Sequence, residues 1–319
     1  MVNSEIIQVH SNDTKRKLLP ATREFLEKKT KTPRIIFLNE TFDKCKATAN
    51  TCNPRSMILS GVAGVGKSQT IKRYVSKYPR YRDGFQITVP VLSLDVPKKA
   101  TVVTLTAEIF RALTGAKVVT GRTDNLAKQV YGKLQKAGVE MIIFDESQHL
   151  LRGNGTITQD NVDALKEIIN ELQIPIVLVG MPKTIDLLKV KGKFEEEQQL
   201  KSRCRKNHIL APYSNDDSGW FEILKFYQGI LNCKLDLVGM SDALYLATDG
   251  LFRNLSSLFL EAIEIAGSTE TIDIKCLAAA YDEYRPSNPL LVNPFELNAR
   301  ELDDEITKYY GARESECTS

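Results

Sequence analysis

The stretch from Met57 to Thr70, MILSGVAGVGKSQT, constrains this chain more than any other. It reads as a buried strand, a glycine-rich turn and the start of a helix. From Gly61 to Ser68 it satisfies G-x-x-x-x-G-K-[ST] at every fixed position. Glycines at Gly61, Gly64 and Gly66 let successive backbone N–H groups, including those of Val62, Ala63 and Val65, curl around phosphate oxygens. The helix opened by Lys67, Ser68 and Gln69 adds a favourable dipole at its N-terminus. Lys67 is placed to neutralise β- and γ-phosphates, and the Ser68 hydroxyl to ligate Mg²⁺. Taken alone, the motif points to a nucleoside triphosphate site.

Composition narrows the class. The chain has 319 residues, 42% hydrophobic and 26% charged, enough to bury a sizeable core in about two domains. No apolar run approaches the ~20 residues that span a bilayer. The N-terminal MVNSEIIQVHSNDTKRK lacks the apolar region of a signal peptide, so a cytoplasmic protein with no membrane partner is expected. Six cysteines without a C-x-x-C pair and three histidines support neither a disulfide framework nor a zinc site. A net charge of +3 is compatible with nucleic acid without arguing for it.

Along the chain, polar residues 1–33 contain one short helix around Leu18–Lys29. A second helix follows Pro33 and ends near Asn50. Apolar runs at 57–59, 90–96, 139–144 and 174–179 alternate with helical patterns at 67–78, 104–113, 126–138 and 160–172. Strands that are apolar throughout imply a parallel sheet covered by helices on both faces. Its ligand would bind beyond the carboxyl ends of the strands. From Ser214 the pattern is helical only, with Leu251, Leu255, Leu258, Phe259 and Ala262 on one face. The expected division is an N-terminal extension (1–33), a nucleotide-binding α/β core (34–213), a helical lid (214–285) and an extended tail (286–319).

Asp145 and Glu146 close the apolar run Met141–Phe144, expected to lie next to the phosphate-loop strand. Asp145 could then hold Mg²⁺ through water, and Glu146 polarise an attacking water. Two basic side chains, Arg203 and Arg205, fall where a helix ends just before the strand expected at 207–210. Arginine there serves either as a partner for the helix dipole or as a finger reaching a neighbouring subunit's γ-phosphate. Arg253, at the start of a lid helix, is a further candidate for nucleotide contact.

With these motifs assembled, the chain resembles an AAA+ ATPase, and more narrowly the TniB/TnsC family of transposition ATPases. The carrying segments are Arg55, GVAGVGKS, GVEMIIFDESQHLLRGNG, NELQIPIVLVGMPKTIDLL, QLKSRCRKNHILAPY and DGLFRNLSSLFLEA. The resemblance implies a P-loop core with a five-stranded parallel sheet sandwiched by helices, plus a small all-helical lid. It implies an ATP-dependent, DNA-binding homo-oligomer, ring or filament, that bridges a TniQ-type target selector to the transposase. ATP would lie between subunits, with Arg203 completing the neighbour's site.

By motif spacing, the resemblance also assigns duplex DNA contact to Lys98, Lys99 and Thr101 in one loop and to Arg122 and Thr123 in another. Three departures imply slow, partner-dependent hydrolysis. Gln148 stands where the family often has histidine, Met181 where a small polar residue is common, and Asn254 where the lid arginine usually lies. The proline-spaced tail is a candidate docking peptide for the transposase. A helicase loader or replication initiator uses the same core, and a nucleotide-switched scaffold without hydrolysis is a reading from a different class.

Overall fold

In the computed structural model the described residues are 18–28, 32–116, 123–152, 157–188, 203–284 and 292–317. Five strands form one sheet: β1 (Ser56–Gly61), β4 (Val91–Asp95), β5 (Met141–Asp145), β6 (Ile176–Gly180) and β7 (Cys204–Leu210). Their order is β4-β5-β6-β1-β7, and every neighbouring pair is parallel. Parallel pairing demands crossovers that cover the sheet, so strand residues are buried whichever way they point. β1, β5 and β6 are buried at every position.

Alternation along the strands sorts the core into two layers. Ile58, Leu92, Ile142, Phe144, Ile176 and Leu178 face α4 (Val102–Thr114), α5 (Thr123–Lys136) and α6 (Gln159–Asn170). Met57, Leu59, Ile143, Val177 and Val179 face α2 (Pro33–Lys46) and α3 (Lys67–Lys77) through Leu38, Phe42, Ile71 and Tyr74. Local chemistry sets the helix ends. Thr32 caps α2 by accepting from Ile35 N with Pro33 in the first turn, and Thr101 and Thr104 form a reciprocal capping box on α4. Gly115, at φ 75°, ends α4.

A short hairpin, β2 (Tyr81–Asp83) with β3 (Gln86–Thr88), turns at Gly84 and was not foreseen. The Asp83-Gly84 pair was its signal.

The helical lid follows β7: α7 (Ser218–Leu231), α8 (Ser241–Thr248), α9 (Phe252–Ala266) and α10 (Ile274–Tyr284). Its apolar cluster draws in residues from both ends of the chain. Phe25, on α1 (Pro20–Lys28), stacks on Tyr227 with ring centroids 5.7 Å apart. Phe295 packs against Tyr281 from the other end. The tail departs from expectation: residues 299–317 form α11 (Ala299–Cys317), and Tyr309 meets Tyr245 edge-on. The tail's prolines all precede it in sequence, and ARELDDEITKYY contains neither Pro nor Gly to interrupt a helix.

Candidate nucleotide site

β1 delivers the chain to the phosphate loop. Gly61 has no room for a side chain, since a Cβ there would stand 2.4 Å from the Leu210 carbonyl oxygen on β7. Gly64 (φ 87°) and Gly66 (φ 103°) take left-handed backbone, which turns the loop tightly before Lys67 starts α3. The Lys67 ammonium is buried and donates to the carbonyls of Gly61 (2.6 Å) and Val62 (2.8 Å). Burial pushes its pKa down, while the Asp145 and Glu146 carboxylates pull it back up.

The acidic pair arrives by a different route from the one expected. β5 is not next to β1; β6 lies between them. Asp145 nevertheless reaches the start of α3, on the face of the sheet that Ile143 and Val179 share with α3. Asp145 Oδ2 accepts from the Ser68 hydroxyl at 3.2 Å, and its Oδ1 accepts from the Glu146 N–H at 2.8 Å. Burial raises the Asp145 pKa, with the Glu146 and Asp95 carboxylates adding to it; the Glu146 N–H and the Ser68 hydroxyl oppose. A cation would relieve that cost. Two hard oxygens this close, one a buried carboxylate that resists its own charge, fit a Mg²⁺ that keeps most of its waters.

A cavity of about 250 Å³ opens at this end of the sheet, lined by Gly64, Lys67, Ser68, Glu146, Met181 and Arg253 among others. The lid closes one side. The Arg253 N–H donates to the Gly64 carbonyl at 2.8 Å, and the Phe252 ring lies where a Gly66 Cβ would be in contact. Arg253 therefore faces the phosphate loop, whereas Asn254 is bound to Thr248 and Tyr284 within the lid. Ser256 and Ser257, one turn beyond Arg253 on α9, also line the cavity. Helical spacing from Arg253 was the signal that could have found them.

Arg203 sits elsewhere. It precedes β7 at the amino end of the sheet and donates to Asn53 Oδ1 at 2.7 Å. Its own phosphate loop is at the opposite end. Arg205 lies on β7, with its side chain outside the described residues.

Lys98 and Lys99 are exposed on the turn after β4, with Lys99 at φ 57°, and Thr101 is spent on capping α4. The structure brings His149 and Arg152, which sequence reasoning did not single out, to the hollow of about 610 Å³ that Lys98 and Lys99 also line. Their position three and six residues past Glu146 was the available signal. Arg122 lies outside the described residues; Thr123 begins α5.

Comparison with solved structures supports the architecture. The chain superposes on Cdc6p from Pyrobaculum aerophilum (TM-score 0.53, 16% identity, covering 79% of this chain and 67% of that one). It also matches the Aeropyrum pernix ORC2 protein (0.52, 17%, 86% and 72%). A third match is the Aeropyrum pernix ORC1 protein in complex with DNA (0.51, 14%, 84% and 66%). At these identities the likeness shows the fold alone, a parallel α/β core followed by a helical unit. No curated protein matches the chain. The family model described as "Bacterial TniB protein" matches residues 26–215, from α1 through the phosphate loop, the acidic pair and β7 into the first residues beyond it; the chain belongs to the TniB family.

Proposed function

We propose that this protein is an ATP-hydrolysing, DNA-binding regulator of DNA transposition, which assembles on target duplex and connects target selection to the transposase. The observation that carries the reading is the meeting of Ser68 with Asp145 beside Glu146, at the mouth of the Lys67 cradle, in a chain of the TniB family. Lys67 holds the β- and γ-phosphates, and the phosphate-loop N–H groups fix their position. Ser68 and Asp145 would hold Mg²⁺, which supplies neutralising charge at the phosphate oxygens when bound. Glu146 accepts a hydrogen bond from the attacking water and orients it in line. Arg203 adds positive charge at a neighbour's γ-phosphate. The apolar Met181 in the cavity wall offers no side-chain donor to that phosphate, which favours slow turnover over motor-like cycling.

Lys98 and Lys99 contact DNA phosphates, which position the protein without reading sequence. The test is duplex affinity with and without ATP over a range of salt. Random duplex should bind tightly only with ATP. Lys98→Ala/Lys99→Ala should weaken binding about tenfold or more and flatten the salt slope by about two. Equal binding without nucleotide overturns ATP dependence, and an unaltered salt slope removes the loop. A replication-initiator role is the second reading, motivated by the Cdc6p and ORC folds; stable capture of a replicative helicase instead of transposase would favour it.

A further inference from the structure

Glu146 is not free at its mouth of the cavity. The chain passes through left-handed backbone at Glu146 (φ 54°) into a short 3₁₀ turn, Ser147–Leu150. That turn aims the Gln148 side chain back along the end of β6. There its amide makes two bonds. Nε2 donates to Glu146 Oε2 at 2.5 Å, and Oε1 accepts from the Met181 N–H at 3.0 Å. The orientation of the amide is fixed by chemistry. A backbone N–H can only donate, so the oxygen must face Met181 and the NH₂ must face the carboxylate.

Gly180 makes the path. A Cβ there would stand 2.3 Å from Gln148 Oε1 and 2.3 Å from the Thr184 hydroxyl, so any larger residue would expel the amide. The Thr184 hydroxyl is fully buried and has no hydrogen-bond partner among the described residues. It sits on the same small space as the amide and offers it a second station.

These contacts join the carboxylate that would orient water to the backbone of Met181, which itself lines the nucleotide cavity. We infer that Gln148 is a positioning residue that restrains Glu146 while nucleotide is bound, and that a subsequent shift of the Met181 backbone is what loosens it. A carboxylate whose lone pair already accepts from a donor is a poorer acceptor for the proton of an attacking water. Turnover then waits on a shift of the 180–184 segment, which breaks the Met181 bond and lets the amide swing towards Thr184. The inference rests on the hydrolytic reading above and adds its brake.

The test compares wild type with Gln148→Met, which keeps the side-chain length but has no N–H to donate. ATP binding and steady-state hydrolysis are measured on the full chain, with and without duplex. Without DNA, Gln148→Met should raise kcat about tenfold or more, the loss of one charge-assisted bond, with KM within about twofold. Gln148→His presents a ring donor and a ring acceptor at similar spacing and should return kcat towards wild type. If wild type hydrolyses ATP and Gln148→Met does so at the same rate or slower, the restraint is overturned and the ATPase reading stands. If both bind ATP and neither hydrolyses it under any condition, hydrolysis itself fails and the restraint falls with it. Should Gln148→Met lose ATP binding, Gln148→Asn, too short to bridge both partners, is judged by the same criteria.

Discussion

At Gly61 a single missing Cβ decides whether the phosphate loop can lie against β7. An alanine Cβ would meet a backbone carbonyl at 2.4 Å, and a backbone cannot step aside as a side-chain tip can. Gly61→Ala should cost about 1–3 kcal/mol by overpacking, with nucleotide affinity falling too because the cradle shifts with the strand. Gly132, in the middle of α5 with open space around it, is the control. Gly132→Ala should stabilise by about 0.5–1 kcal/mol through helix propensity alone. Thermal unfolding of both variants reads the contrast; a neutral Gly61→Ala would refute the close approach. Glycines such as Gly64 and Gly66 were legible in the sequence, because a left-handed turn at a phosphate loop demands glycine whatever surrounds it. Gly180 was not. Its need comes from the Thr184 hydroxyl one turn on and from the Gln148 amide, which arrives from a segment distant in sequence, so that the local pattern does not announce it.

Among the elements, β1, β4, β5 and β6 announced themselves by apolar runs; β7, CRKNHIL, is mostly polar, and the order of β5, β6 and β1 was not announced at all. Run composition says that a strand is buried on both faces; it does not say which strands are neighbours. The helical lid shows the same limit. Residues 218–284 carry their own apolar faces, but the unit also takes in Phe25 from α1, a helix whose other residues are mostly polar. One aromatic in such a stretch gives no periodicity to read. Its weight in the structure is nonetheless large, since Phe25 is fully enclosed and stacks on Tyr227. Phe25→Ala should destabilise the helical unit by about 3–5 kcal/mol. Hydrogen exchange locates the effect: amides of α7 and α9 should lose protection, while those of β1 and β6 keep theirs. Uniform loss across the chain would mean that lid and core unfold as one.

For the whole molecule, the decisive geometry is that the two charged ends of the site lie at opposite ends of the same sheet. Lys67, Ser68, Asp145 and Glu146 gather beyond the carboxyl ends of the strands; Arg203 enters β7 at the amino end, beside Asn53. β1, with six residues, spans roughly 20 Å at ~3.3 Å per residue, too far for one side chain to bridge. If Arg203 acts on a nucleotide, it must be a neighbour's, and head-to-tail stacking of identical subunits supplies that arrangement in every ring or filament. Mixing experiments separate this from a role within one chain. Arg203→Ala and Glu146→Gln should each reduce DNA-stimulated hydrolysis by about 10³-fold or more while nucleotide still binds. Mixed in equal amounts on duplex DNA, random assembly pairs an intact Glu146 with an intact neighbouring Arg203 at about one quarter of the interfaces, and hydrolysis should recover to about that fraction of wild type. Arg203 acting only through its bond to Asn53, as a clasp on the turn before β1, predicts no recovery on mixing, because each subunit would still carry its own defect.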